Sequence, residues 1–284
     1  MQTDPLAFLT PQPLVDILQP YCEKIGFKYL APHVHEIFLA FSFYQMLFLL
    51  SGQLSPIIWG KQLRSLSAKN RIDFDIHIVS QFQAFIVVPL AFLCFNDPIL
   101  SANIITAYTP WTGFLGSLAT GYFVWDLIIC ARYVNLFGVG FLLHAICALF
   151  VFVQGFRPYV MGMMGHFLMF EMSTPFVNMN WFVSRLPKGT FPPWFEAANG
   201  IALMTVFFGC RIIWGNYWSY VTITNMWKPE IRAQYPIWLP VLNTTSNLTL
   251  VSLNFFWFSK MIRILLKKIN GSKKDAKVDA HKLD

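Results

Sequence analysis

Seven stretches of mainly apolar residues run through the chain, at 36–59, 76–95, 111–130, 137–154, 158–183, 197–223 and 237–265. An α-helix rises ~1.5 Å per residue, so about 20 such residues cross the hydrocarbon layer of a bilayer. Between the stretches lie charge and turn residues, as in Lys61–Asn70, Asn96-Asp97-Pro98, Pro187–Pro193 and Lys228-Pro229. Water is the wrong solvent for such a pattern. Hydrophobic residues make up 56% of the chain and charged residues only 12%, where soluble domains carry roughly 25% charged. The expected fold is an all-α membrane protein of about seven transmembrane helices.

Charge sets the expected orientation. With seven crossings, loops 60–75, 131–136 and 184–196 and the tail from 260 share one side and carry 15 Lys and Arg. The N-terminus and loops 96–110, 155–158 and 224–236 share the other side and carry five. Basic flanks stay cytosolic, so the N-terminus is expected in the lumen and the C-terminus in the cytosol. The organisation reads as a lumenal segment 1–35, a first transmembrane helix 36–59, a main bundle 60–266 and a basic cytosolic tail 267–284. That tail is expected to be irregular. Its closing His-Lys-Leu-Asp resembles a lumenal retrieval signal but would lie in the cytosol. Residues 1–20 lack Lys and Arg and contain Pro5, Pro11, Pro13 and Pro20, a poor match to a cleaved signal peptide. Leu6–Leu18 reads as a short interfacial segment.

Several chemistries are not expected. The basic tail accounts for much of the net charge of +7, and nucleic acid is not expected as a partner. Five cysteines, Cys22, Cys94, Cys130, Cys147 and Cys210, form no CxxC pair; they read as small buried hydrophobes, with no metal site. The sequons at Asn243, Asn247 and Asn270 fall in the last span and the tail, so no glycan is expected there.

Ionisable groups inside a span are costly and mark candidate function. Asp126, His144, His166, Glu171 and Arg211 are such groups, while Arg132 can snorkel from a helix end. By helical rise, His144, Glu171 and Arg211 lie near mid-membrane, with Asp126 nearer the cytosolic end. They would form one polar layer around an internal cavity. Glu171 and Arg211 could form a structural ion pair, or Arg211 could hold an anionic group. On the fifth span Glu171, Thr174 and Asn178 share a face, with His166, Ser173 and Asn180 nearly opposite, so this helix should be enclosed by neighbours. Pro175 should kink it. Six of the eleven methionines (Met161, Met163, Met164, Met169, Met172 and Met179) lie here, suiting an adaptable pocket or ordinary packing. Asn243, Asn247 and Asn254 read as interhelical glue. Gly113, Gly116, Ser117, Thr120 and Gly121 permit close helix approach. The His144 imidazole could serve as base, acid or nucleophile, or simply bond a neighbouring helix.

The segments Gly121-Tyr-Phe-Val-Trp-Asp126, Phe141-Leu-Leu-His144 and Phe170-Glu-Met-Ser-Thr-Pro-Phe-Val-Asn178 resemble the TLC-domain family. That family includes ceramide synthases, translocating-chain-associating membrane proteins and a cargo receptor of the ceroid-lipofuscinosis group. The resemblance spans about residues 60–266. It implies six helices in a TLC-type bundle around a cavity, with the first helix outside. It implies membrane lipids as partners, such as a sphingoid base or fatty acyl chain. It also implies an endoplasmic-reticulum location and a role in lipid homeostasis. In ceramide synthases a His-His pair is catalytic. Here His144 matches the second histidine, but Leu143 replaces the first, and the aspartates of the next helix are replaced around Glu171. Lipid binding without catalysis is therefore the leading expectation, with no cofactor required. The alternatives are an N-acyltransferase using acyl-CoA as co-substrate, with His144 and Asp126 catalytic, and a membrane cargo receptor. The expected lipid-cavity residues are His166, Glu171, Ser173, Thr174, Asn178 and Arg211.

Overall fold

A computed structural model describes residues 3–280, with side chains through Lys267 and at Asn270. Among the described residues there is no strand. The main helices are α1 (Gln12–Lys24), α2 (Val34–Ile58), α3 (Ala68–Phe92), α4 (Pro110–Arg132) and α5 (Val139–Val153). Next come two shorter pieces, α6 (Met164–Leu168) and α7 (Thr174–Arg185). Then follow α8 (Pro193–Phe207), α9 (Gly215–Met226) and α10 (Trp238–Ala280). Local chemistry starts these helices. The Ser67 hydroxyl accepts the Asn70 amide ahead of α3. Thr109 and Thr112 cap each other's backbone at the head of α4, where Pro110 takes a position that needs no donor. Gly138, at φ +94°, turns the chain into α5.

Six helical stretches are long and apolar enough to span a bilayer: Ala31–Ile58, Ala68–Phe92, Pro110–Arg132, Val139–Phe156, Pro193–Met226 and Trp238–Lys267. The expected crossing at 158–183 is not one continuous helix. It is a chain of short pieces, with 3-10 turns at Met161–Met163 and Met169–Ser173 flanking α6. It nevertheless runs the length of α3 in the opposite direction. Gly165 lies against Ala91 and Cys94 at one end, and the Trp181 indole donates to Asp73 at the other, at 2.8 Å. A segment that travels alongside a 25-residue spanning helix crosses the same thickness.

The connections sort into two ends accordingly. At one end Tyr29 N donates to Phe156 O, Val160 N to Ile105 O and Tyr235 Oη to Pro158 O. At the other, Lys69 Nζ donates to Leu136 O, and Leu63, Leu66, Phe74, Phe182 and Leu186 form a small core. The second end is the one carrying most of the Lys and Arg.

The small residues on α4 perform the expected task. Gly113, Gly116, Ser117, Thr120 and Gly121 are all buried. A Cβ on Gly121 would lie 2.6 Å from Ala40 Cβ and 2.7 Å from Ile37 O, so only glycine permits this approach to α2. Two expectations are revised. The stretch Leu6–Leu18 folds as a short turn at Ala7–Leu9 and the start of α1, which runs on to Lys24, with Ile17, Tyr21 and Ile25 exposed. The tail backbone stays helical to Ala280, because nothing after Pro240 removes a helix donor. Residues 281–284, with the terminal His-Lys-Leu-Asp, lie outside the described residues. Asn243 and Asn247 are buried within α10.

Candidate functional site

The break in the fifth crossing begins with proline. Pro175, second in α7, has no N–H to give the carbonyl four residues back, and its ring crowds that carbonyl. The chain tightens into the 3-10 turn Met169–Ser173 just before it. In a bilayer the carbonyls of an irregular segment need donors from within the protein, and side chains of neighbouring helices reach carbonyls on either side of the break. Trp214 Nε1 donates to His166 O at 2.9 Å and Asn199 Nδ2 to Phe176 O at 3.1 Å. Ser173 Oγ reaches back to Phe170 O at 3.1 Å. The partner helix is irregular too. Between α8 and α9 the chain forms a π-helical segment, Phe208–Trp214, a geometry often found at functional sites.

Arg211 sits inside that π segment, 8% exposed. Its Nε donates to Ser173 Oγ at 2.8 Å. One terminal nitrogen donates to Asn254 Oδ1 and the other to Thr174 Oγ1, each at 3.3 Å. Glu171 Oε1 lies 4.0 Å away, while Glu171 Oε2 accepts from Thr174 Oγ1 at 2.7 Å. The two charges therefore meet at the outer limit of an ion pair, bridged by Thr174. Three neutral oxygens hold the guanidinium, Ser173 Oγ at close range and the other two at distances that are long for charged donors. Residues from the broken crossing, the π segment and α10 close this node.

The node forms one wall of a narrow cavity of about 40 Å³. His144, Glu171, Arg211, Ser219, Asn247 and Asn254 supply its polar lining. Apolar walls come from Phe123, Phe152, Phe167, Phe170, Leu250 and their neighbours. Three of the polar lining atoms, His144 Nδ1, Ser219 Oγ and Asn247 Oδ1, are buried without a hydrogen-bond partner. A cavity with a charged pole, an apolar wall and unmet polar atoms suits an amphipathic molecule.

A model of the TLC domain matches residues 73–263. The chain belongs to the TLC-domain family. Topoisomerase I damage affected protein 4 of Saccharomyces cerevisiae is 35% identical over 263 residues, covering 89% of this chain and 93% of its own length. An uncharacterised TLC domain-containing protein of Schizosaccharomyces pombe is 34% identical, covering 93% and 89%. TLC domain-containing protein 4-A of Xenopus laevis is 29% identical, covering 90% and 95%.

Within this TLC domain, the residues singled out by sequence separate into groups. His144, Glu171 and Arg211 line one cavity, and Ser173 and Thr174 hold Arg211 from behind. Asp126 lies outside the lining; it is half-buried, and the Cys130 thiol donates to its Oδ1 at 3.6 Å. His166 is packed among aromatic rings, with centroids 3.8 Å from Trp218, 5.8 Å from Trp214 and 4.9 Å from Phe95. Asn178 ties α7 to α3, accepting from Ser80 Oγ at 3.1 Å and donating to Gln81 Oε1 at 3.0 Å. Sequence reasoning assigned Asn247 and Asn254 to helix contacts and passed over Ser219. The shared face of Asn247 and Asn254 on the last span was the available signal.

Proposed function

We propose that this protein binds an amphipathic membrane lipid within the TLC domain and serves membrane lipid homeostasis. The supporting observation is the cavity, where Arg211 and Glu171 meet apolar walls and unpartnered polar atoms. The polar head of a lipid takes hydrogen bonds from the Arg211 node and satisfies Ser219, Asn247 and His144. Its acyl chain lies against the phenylalanines. The family resemblance supports an endoplasmic-reticulum location, and the basic flanks gathered at one end of the bundle support a lumenal N-terminus and a cytosolic C-terminus. Native mass spectrometry of the full chain released from detergent tests this. A bound lipid species should remain on the wild type and decline on Arg211→Gln. A bare wild-type chain would overturn the reading.

A second reading rests on His144, whose Nδ1 faces no partner in the protein. Acting as a base, it would take a proton from a lipid amine as the nitrogen attacks an acyl-CoA thioester. The C–N bond forms, the C–S bond breaks, and the thiolate leaves with a proton as free CoA. Purified protein given acyl-CoA and a long-chain base should then form an N-acyl product, lost in His144→Ala. Lipid binding without turnover leaves the first reading standing alone.

A further inference from the structure

Three ligand-type side chains converge at the end of the bundle away from the basic tail. Asp4 comes from the N-terminal arm, His33 from the turn leading into α2, and Glu36 from the first turn of α2. One ligand atom from each lies within 4.8 Å of the other two. His33 Nδ1 is 2.7 Å from Glu36 Oε2 and 3.9 Å from Asp4 Oδ2. The side chains are 2% exposed for His33, 0% for Glu36 and 10% for Asp4.

Two features distinguish this cluster from an ordinary carboxylate–histidine contact. First, Glu36 Oε1 is buried without a hydrogen-bond partner. A protonated His33 would still leave two carboxylates facing one positive charge, which is costly in a buried setting. Second, the imidazole is oriented from behind. Its Nε2 lies 2.7 Å from the Tyr108 hydroxyl, and the Tyr108 ring stacks on Tyr29 at 3.8 Å and 4°. Metal-binding histidines are fixed in this way by a hydrogen bond at the second ring nitrogen. Gly113 makes room for the arrangement, since a Cβ there would lie 2.2 Å from His33 Nε2.

We propose that Asp4, His33 and Glu36 bind a divalent transition-metal ion, with zinc as the probe ion. The nitrogen and two carboxylates are a ligand set zinc accepts, leaving a fourth position for water. The ligand atoms must be free of protons to hold the ion, so binding weakens as the pH is lowered. Its structural effect is to fasten the N-terminal arm to the first crossing. A carboxyl pair sharing a proton is the competing explanation of the same contacts.

The test uses the purified full chain, stripped with chelator and titrated with zinc sulfate alone. About one zinc per chain should bind, and zinc should raise the melting temperature of the stripped protein. Asp4→Asn, on the arm rather than in a span, should weaken zinc binding at least tenfold while leaving the metal-free melting temperature near wild type. Glu36→Gln should abolish binding. A folded, monodisperse wild type that takes up no stoichiometric zinc would overturn the site. So would zinc binding unchanged in Asp4→Asn, which would place the ion elsewhere.

Discussion

Two crossings pass through the interior of this bundle, and they handle their backbones in opposite ways. Helix α4 is unbroken for 23 residues. Its glycines admit α2 to close range, and the hydroxyl of Ser117 bonds its own backbone, donating to Gly113 O at 2.8 Å. The crossing from Met161 to Arg185 is broken twice by 3-10 turns and leans on donors from other helices. The first arrangement packs and offers little chemistry of its own. The second leaves groups facing inward, and the cavity lies beside it. An interior can therefore be rigid along one helix and chemically available along its neighbour, depending on where proline and glycine fall.

The contrast can be broken from the largest effect downward. Arg211→Leu removes the cation of the node, leaving Glu171 without a counter-charge and Ser173 and Asn254 without their donor. Losing one partner of a buried pair costs about 3–5 kcal/mol, and the long Glu171 separation places this case at the lower end. A strong fall in the detergent melting temperature is expected, larger than for any change on α4 named here. Gly121→Ala attacks the packed crossing instead. Its new methyl meets Ala40 and the α2 backbone, and overpacking of this kind costs about 1–3 kcal/mol. Melting temperature should fall while lipid occupancy per folded chain stays constant.

Pro175→Ala should show the reverse separation. It returns an N–H to the broken crossing, so stability should move by less than about 1 kcal/mol. Lipid occupancy should fall, because Ser173 and Thr174 would lose their approach to Arg211. An unchanged occupancy would mean that the break does not position the node. Ser117→Ala is the smallest change. Its hydroxyl donates to Gly113 O of its own helix and lies beside the Glu36 carboxylate of α2, so the expected shift is about 1 kcal/mol or less on thermal unfolding.

Much of this architecture was legible in the chain. Hydropathy located the crossings, because lipid imposes a length and a polarity on each. Glu171 and Arg211 stood out as charges in apolar runs, and both line the cavity. Pro175 announced a disturbance but not its extent, since a kink and a pair of 3-10 turns differ only in how neighbours answer the carbonyls around it. The π segment around Arg211 left no trace in the hydrophobic pattern, because one extra residue in a turn changes register without changing composition. Faces were the weakest inference. Asn178 points to α3 and His166 into an aromatic cluster, because helical spacing gives a direction and not the neighbour that occupies it. Glu36 was missed for a related reason. It stands where loop becomes span, and its bond to His33 depends on the turn that joins them.

The central claim is that the space beside the broken crossing holds a lipid. Ala148 lines that space, 3% exposed, without taking part in the Arg211 node. Native mass spectrometry should therefore compare the wild type with Ala148→Phe, both monodisperse on size exclusion. The account predicts a retained lipid on the wild type and its loss on Ala148→Phe. Equal lipid occupancy in the two proteins would contradict it.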